Sequence, residues 1–281
     1  MPESAPRSVG ESVKEYGRGI VGGLLFSLPL LYTMEVWWSG FMAGPLKLLA
    51  GLAICYMLLL GYNRFAGMRR DAELREIATE SVEELGIGIS LSALILFILG
   101  RIGPGMAAEE VLGKILVESF VVAIGVSVGT AQLGETSERD EESDEQRRER
   151  NTLLGRMVLS ICGAVLIAAN VAPTEEILML GVEMSSLQLL GLLGLSLFLT
   201  WMVLHGSGFR GGSDRGNGMS LGKEVASAGA AYVAAVAVSV GMLWFFGRLD
   251  GVAPIVGLDQ TVVLALPASL GSSVGRLLVH E

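Results

Sequence analysis

Histidine and cysteine are almost missing from this chain, with two of each in 281 residues. His205 and His280 fall at the ends of apolar runs, so an imidazole metal centre or a serine-type triad has no base to draw on. Cys55 and Cys162 lie deep in apolar runs without metal-like spacing, which excludes a disulfide framework and leaves them as small hydrophobes. Charge is scarce as well. At 17% of residues it falls short of what a water-facing surface carries, and the net charge of −9, concentrated in loops, removes nucleic acid as a partner. The polar first 17 residues are followed by no small-residue cleavage site, so the first apolar segment is expected to stay as a helix and not be removed as a signal peptide.

What is there is apolar: 51% hydrophobic residues, 38 glycines and a mean hydropathy of +0.57, in runs of membrane length. Hydropathy and turn residues predict eight spans at about 18–40, 46–62, 85–101, 111–133, 153–180, 187–204, 225–246 and 262–278. The charged stretch from Asp71 has helical spacing and is expected to lie on the membrane or to extend the third span. Residues 134–151, dense in Glu, Asp and Arg, read as a solvated linker between a first unit, 1–133, and a second, 152–281. The Gly-rich 206–218 reads as a flexible loop. Arginine and lysine gather in the loops around 64–75, 139–150 and 210–223, against only Lys47, Arg101 and Arg248 on the other side. Both termini are therefore expected in the cytoplasm of a cell-membrane protein.

The second unit echoes the first. Thr33-Met34-Glu35 is answered by Thr174-Glu175-Glu176, each with Gly five residues after the Glu, at an offset of 141. Gly100-Arg101 is answered by Gly247-Arg248 at 147, and Gly125 to Gly129 by Gly271 to Gly275 at 146. Four spans per unit is an even number, so the fold class expected is all-α transmembrane, two parallel four-helix repeats about a pseudo-twofold along the membrane normal.

Glu35 and Glu176 then fall at equal depth in the outer third of their spans. An isolated carboxylate at mid-membrane costs about 2.5–3.5 kcal/mol, less near the interface. With Pro29 and Pro173 nearby, each expected to free the carbonyl four residues back, they suggest a cation or proton site. Thr33, Thr174, Glu175 and Asn170 would complete it. Glu118, nearer the middle of its span and without a counterpart, is a further candidate unless Lys114, one turn away, pairs with it. The bland alternative locks Glu35 to Arg101 and Glu176 to Arg248. Gly125-Val-Ser127-Val-Gly129 and Gly271-Ser-Ser273-Val-Gly275 match the hydrolase pattern G-x-S-x-G, but inside apolar helices they read as close-packing faces, and a crossing of the fourth and eighth spans is expected there. Trp37, Trp38 and Trp244 read as interfacial anchors.

Residues 26–40 resemble a family of eight-span bacterial membrane proteins, and the resemblance covers most of the chain; it implies a topology and no activity. Arg18 with Phe26-Ser27 is also similar to the Arg…Phe-Ser-Asp signature of the lysosomal potassium channel family. Here Leu28 stands at the Asp position and the second half has no Phe-Ser. The sequence thus points to a cation or proton carrier or channel, with a scaffold or sensor as the other class and no enzyme expected. The partners expected are the bilayer and an inorganic cation or proton, with no cofactor, and homo-oligomerisation is left open.

Overall fold

The computed structural model describes residues 9–67, 73–133, 152–208 and 221–277. The expected linker and most of the Gly-rich loop lie outside them. The described residues form ten helices and no strand: α1 Val9–Leu31, α2 Met34–Met42, α3 Pro45–Ala66, α4 Leu74–Ile98, α5 Ala108–Gln132, α6 Leu153–Val171, α7 Glu175–Glu183, α8 Ser186–Gly208, α9 Leu221–Phe245 and α10 Pro254–Leu277. Seven are long and apolar enough to cross a membrane, and α1 with α2, bent by 87° between them, brings the number to eight if the pair is one span.

Two of the expected spans are broken. The first is interrupted at Thr33, whose extended backbone (φ −94°, ψ 116°) separates α1 from α2. The fifth ends at Val171. Pro173 follows it, so this proline stops a span where an interruption within one was expected, and α7 restarts as a short separate helix. In the other direction, α4 extends the third span back to Leu74. At its far end Gly100, at φ +65°, turns the chain so that the Arg101 N–H reaches Leu96 O at 2.8 Å. Gly247, at φ +71°, does the same for Arg248 and Leu243, again at 2.8 Å.

Helices in lipid associate by close backbone approach rather than by burying apolar area, so small residues decide who packs on whom. Gly125 and Gly129 of α5 lie against Gly22 of α1, and Gly271 and Gly275 of α10 lie against Gly163 of α6. The expected crossing of the fourth and eighth spans through these glycines is therefore not what forms. A four-spaced glycine pair marks a face, and each face is taken by the first span of its own half. The short helices repeat the pattern: Gly40 of α2 packs on Gly113 and Lys114, and Gly181 of α7 on Gln260. Between Gly113 and Thr130 α5 is buried at nearly every residue, enclosed by α1 to α4 and by α6. Side chains such as Leu46, Met57, Phe97, Leu187 and Ile255 point outward, as a lipid-facing surface requires.

Candidate functional site: a buried carboxylate beside a broken span

The α1–α2 break is held by its own residues and by two from elsewhere, Asn170 of α6 and Arg101 after α4. Pro29 has no N–H, and the next residue, Leu30, gives its N–H to Asn170 Oδ1 of α6, at 3.0 Å. Asn170 Nδ2 in turn donates to Phe26 O at 3.0 Å and to Leu166 O at 2.6 Å. One amide thus bridges the Leu30 N–H and the Phe26 carbonyl, in keeping with the rule that backbone groups in hydrocarbon find partners within the protein. Thr33 Oγ1 donates to Pro29 O at 2.7 Å, and Trp37 Nε1 to Leu31 O at 3.1 Å. The guanidinium of Arg101 lies over the Trp37 ring, 4.9 Å from its centre. Trp37 is therefore part of the break's closure, beyond the anchor expected. At the α6–α7 break, Thr174 Oγ1 donates to Val171 O at 2.9 Å and Arg248 Nη2 donates to Pro173 O.

Around the breaks the carbonyls of Phe26, Pro29, Leu31, Val171 and Pro173 each accept a protein donor; the two expected to open, those of Leu25 and Ala169, are not among them. The arginines are spent on these closures and form no ion pair with Glu35 or Glu176. Ion pairs form instead at Lys47–Asp250, 3.2 Å, and at Lys114–Glu110, 2.5 Å.

Glu35 sits half-buried in the first turn of α2, and Glu175 and Glu176 sit exposed in the first turn of α7. There they complement the positive end of a helix dipole. The backbone N–H of Glu176 itself, then the Thr174 side chain, and more weakly Arg248, hold the Glu176 carboxyl below the usual carboxylate range. Each glutamate serves the start of its own short helix. No hydrogen bond brings Glu35 and Glu176 to each other, to Asn170 or to Glu118.

Glu118 is different. It is 0% exposed, and neither carboxylate oxygen has a hydrogen-bond partner among the described residues. Lys114, the expected partner, gives its ammonium to Glu110 and to Arg101 O at 3.2 Å. On α5, Glu118 continues the stripe Val122, Gly125, Gly129, which packs on α1. Gly129 meets Gly22 and Val122 meets Gly23. Followed one more turn, this antiparallel register brings Glu118 level with Ser27, one turn before the end of α1. A carboxylate without partners and the borrowed amide on Phe26 O therefore share one level of the molecule.

A second buried carboxylate was missed by hydropathy, which began the third span one residue after it. Glu84 of α4 accepts from Asn63 Nδ2 at 2.7 Å; the same amide donates to Ser81 Oγ at 3.1 Å, and Ser127 Oγ donates to Asn63 Oδ1 at 2.8 Å. The signal was in the spacing: Ser81, Glu84, Gly88 and Ser92 recur at one helix face, and that face is the buried one. Cys55 and Cys162 are buried and unbridged, as expected of small hydrophobes, and their thiols lie near Phe120 O and Leu58 O.

A family model for integral membrane proteins, DUF2391, matches residues 15–279 of the chain. No curated protein and no solved structure matches it. The family description gives a location, and the chemistry rests on the residues above.

Proposed function

Since the chain belongs to the DUF2391 family of integral membrane proteins, we propose that it moves a proton or an inorganic cation across the cell membrane, with Glu118 as the exchanging group. The observation that carries this reading is the burial of Glu118 with both oxygens unpartnered. A charged carboxylate so placed costs several kcal/mol. It is retained at that cost where it takes up and releases a positive charge. The proton is the favoured ion, because it needs one acceptor, while a metal cation needs a shell of oxygens and the carbonyls nearest the break already hold donors. In this reading the two halves are parallel repeats, the termini are cytoplasmic, and Glu35 and Glu176 stand at the opposite mouth, where they gather cations.

Purified protein in liposomes with an internal pH dye, and in parallel a panel of alkali cations, tests the proposal. Wild type should acidify or alkalinise the lumen under an imposed gradient, and Glu118→Gln should abolish the flux while keeping or raising thermal stability. Wild-type liposomes that pass neither protons nor cations, or a Gln variant as active as wild type, overturn it.

A second reading has its own support. Arg101 over Trp37 and Arg248 on the Pro173 carbonyl fix both breaks, which suits a rigid scaffold or sensor. Under that reading the liposomes are silent, and Arg248→Gln lowers stability without any flux to lose.

A further inference from the structure

Where α6 begins and α10 finishes, two arginines share one end of the molecule, and Glu224 of α9 falls one turn before the Ser227 that Arg276 engages. Arg276, 7% exposed, donates from Nη1 to Ser227 O at 3.1 Å and from Nη2 to Ser227 Oγ at 2.7 Å, which leaves its Nε–H without an acceptor. Arg156 of α6 is half-buried, and its shielded Nε also lacks an acceptor. Ser160, one turn further along α6 and 1% exposed, has a hydroxyl with no partner. Gly275 packs on Leu159 and Gly163, so Arg276 and Arg156 share the same end of one helix pair, and Arg156 is the charge that acts on Arg276. The ion pairs Lys47–Asp250 and Lys114–Glu110 lie at the other end.

The crossing itself does not call for this charge. In the first half the corresponding end of the α1–α5 pair closes with Gly19 against Thr130 and Val126, without a pair of arginines. Two guanidiniums in a shielded corner repel each other, and an anion between them relieves that repulsion. The planar fork of a guanidinium and a neighbouring hydroxyl are the donors that match a phosphate oxyanion.

We propose that Arg156, Ser160 and Arg276 bind a phosphate oxyanion at this membrane face, supplied either by the headgroup of an anionic phospholipid or by a free phosphate. The guanidiniums neutralise the anion and the Ser160 hydroxyl donates to it. Arg276, already oriented by Ser227, forms the fixed wall, and Arg156 is the arm that reaches the ligand.

The full chain in a zwitterionic detergent gives the test through its melting temperature. Phosphatidylglycerol, phosphatidylcholine and inorganic phosphate are added separately at one ionic strength. Phosphatidylglycerol or inorganic phosphate should raise the wild-type Tm by several degrees, and phosphatidylcholine should not. A response to the lipid alone assigns a headgroup, and a response to inorganic phosphate alone assigns a soluble anion. The rise should vanish in Arg156→Gln and shrink in Ser160→Ala, which keeps both charges and serves if the arginine variant does not fold. No rise with either anion, or an equal rise in both variants, overturns the proposal. So does a rise that appears only after residues 135–149 are deleted, because the chain's own acids would then be the counter-ion.

Discussion

Asn170 does for α1 what α1 cannot do for itself. Its amide holds the Leu30 N–H and the Phe26 carbonyl at once, and a buried group that loses its partner costs about 1–3 kcal/mol. Asn170→Leu should therefore lower stability by roughly that amount for each group stranded, read as a fall in detergent melting temperature. A variant as stable as wild type would mean that the break closes by other means. Glu176 allows a prediction of sign. Its folded-state pKa is depressed, so its contribution is present above its unfolded pKa and is lost as pH falls through the lower, folded value. Glu176→Gln should thus match wild type in the most acidic melts and fall slightly below it near neutral pH. A deficit that persists at the acidic end would contradict this. The sequence pointed to Asn170 and Glu118 as polar residues inside apolar runs, yet it could not say that the amide repairs a helix in the other half or that Lys114 turns away to Glu110. Those are facts of register between distant segments. For the same reason it gave Glu35 and Glu176 a depth inside the membrane, although they sit at the starts of two short helices.

At the scale of elements, the glycines make the sharpest statement. An added side chain at Gly22 or Gly163 would run into the backbone of the crossing helix, at Gly129 and Gly125 or at Gly271 and Gly275, whereas Gly86 of α4 has nothing near it. Gly22→Leu and Gly163→Leu should cost at least the 1–3 kcal/mol typical of overpacking, and more because backbone must yield, while Gly86→Leu should be tolerated. Unfolding in detergent followed by circular dichroism ranks the three; equal stabilities would mean that the crossings are not as close as described. The glycine stripes were legible in the sequence but their partners were not, since spacing defines a face and leaves open what covers it. Hydropathy likewise ran straight through the 87° bend at Thr33, because the chain stays apolar on both sides of it. It also excluded Glu84 from the third span by its charge alone, though α4 buries that residue among Asn63, Ser81 and their neighbours.

For the whole molecule, the membrane class and a helical fold with seven to eight candidate spans could be read from composition, because a chain this apolar with glycine-marked turns has few other ways to satisfy its backbone. The expected sidedness can be checked directly. In a chain whose two native cysteines are replaced, Ser143→Cys should react with an impermeant thiol reagent only in inverted vesicles, and labelling of intact cells would reverse the assignment. The Asn170 contact has a further consequence if the two units descend from one. Positions 29 and 170 are 141 apart, the offset that also relates Glu35 to Glu176, so Pro29 and Asn170 occupy the same place in their respective units. One takes away the helical donor to Leu25 O, and the other bridges the next pair along, Leu30 N–H and Phe26 O. Two copies of a single ancestral unit could not divide that labour, since one codon cannot encode both residues. The asymmetry could arise only once the copies were free to mutate separately, and each unit expressed alone today would lack what the other now provides.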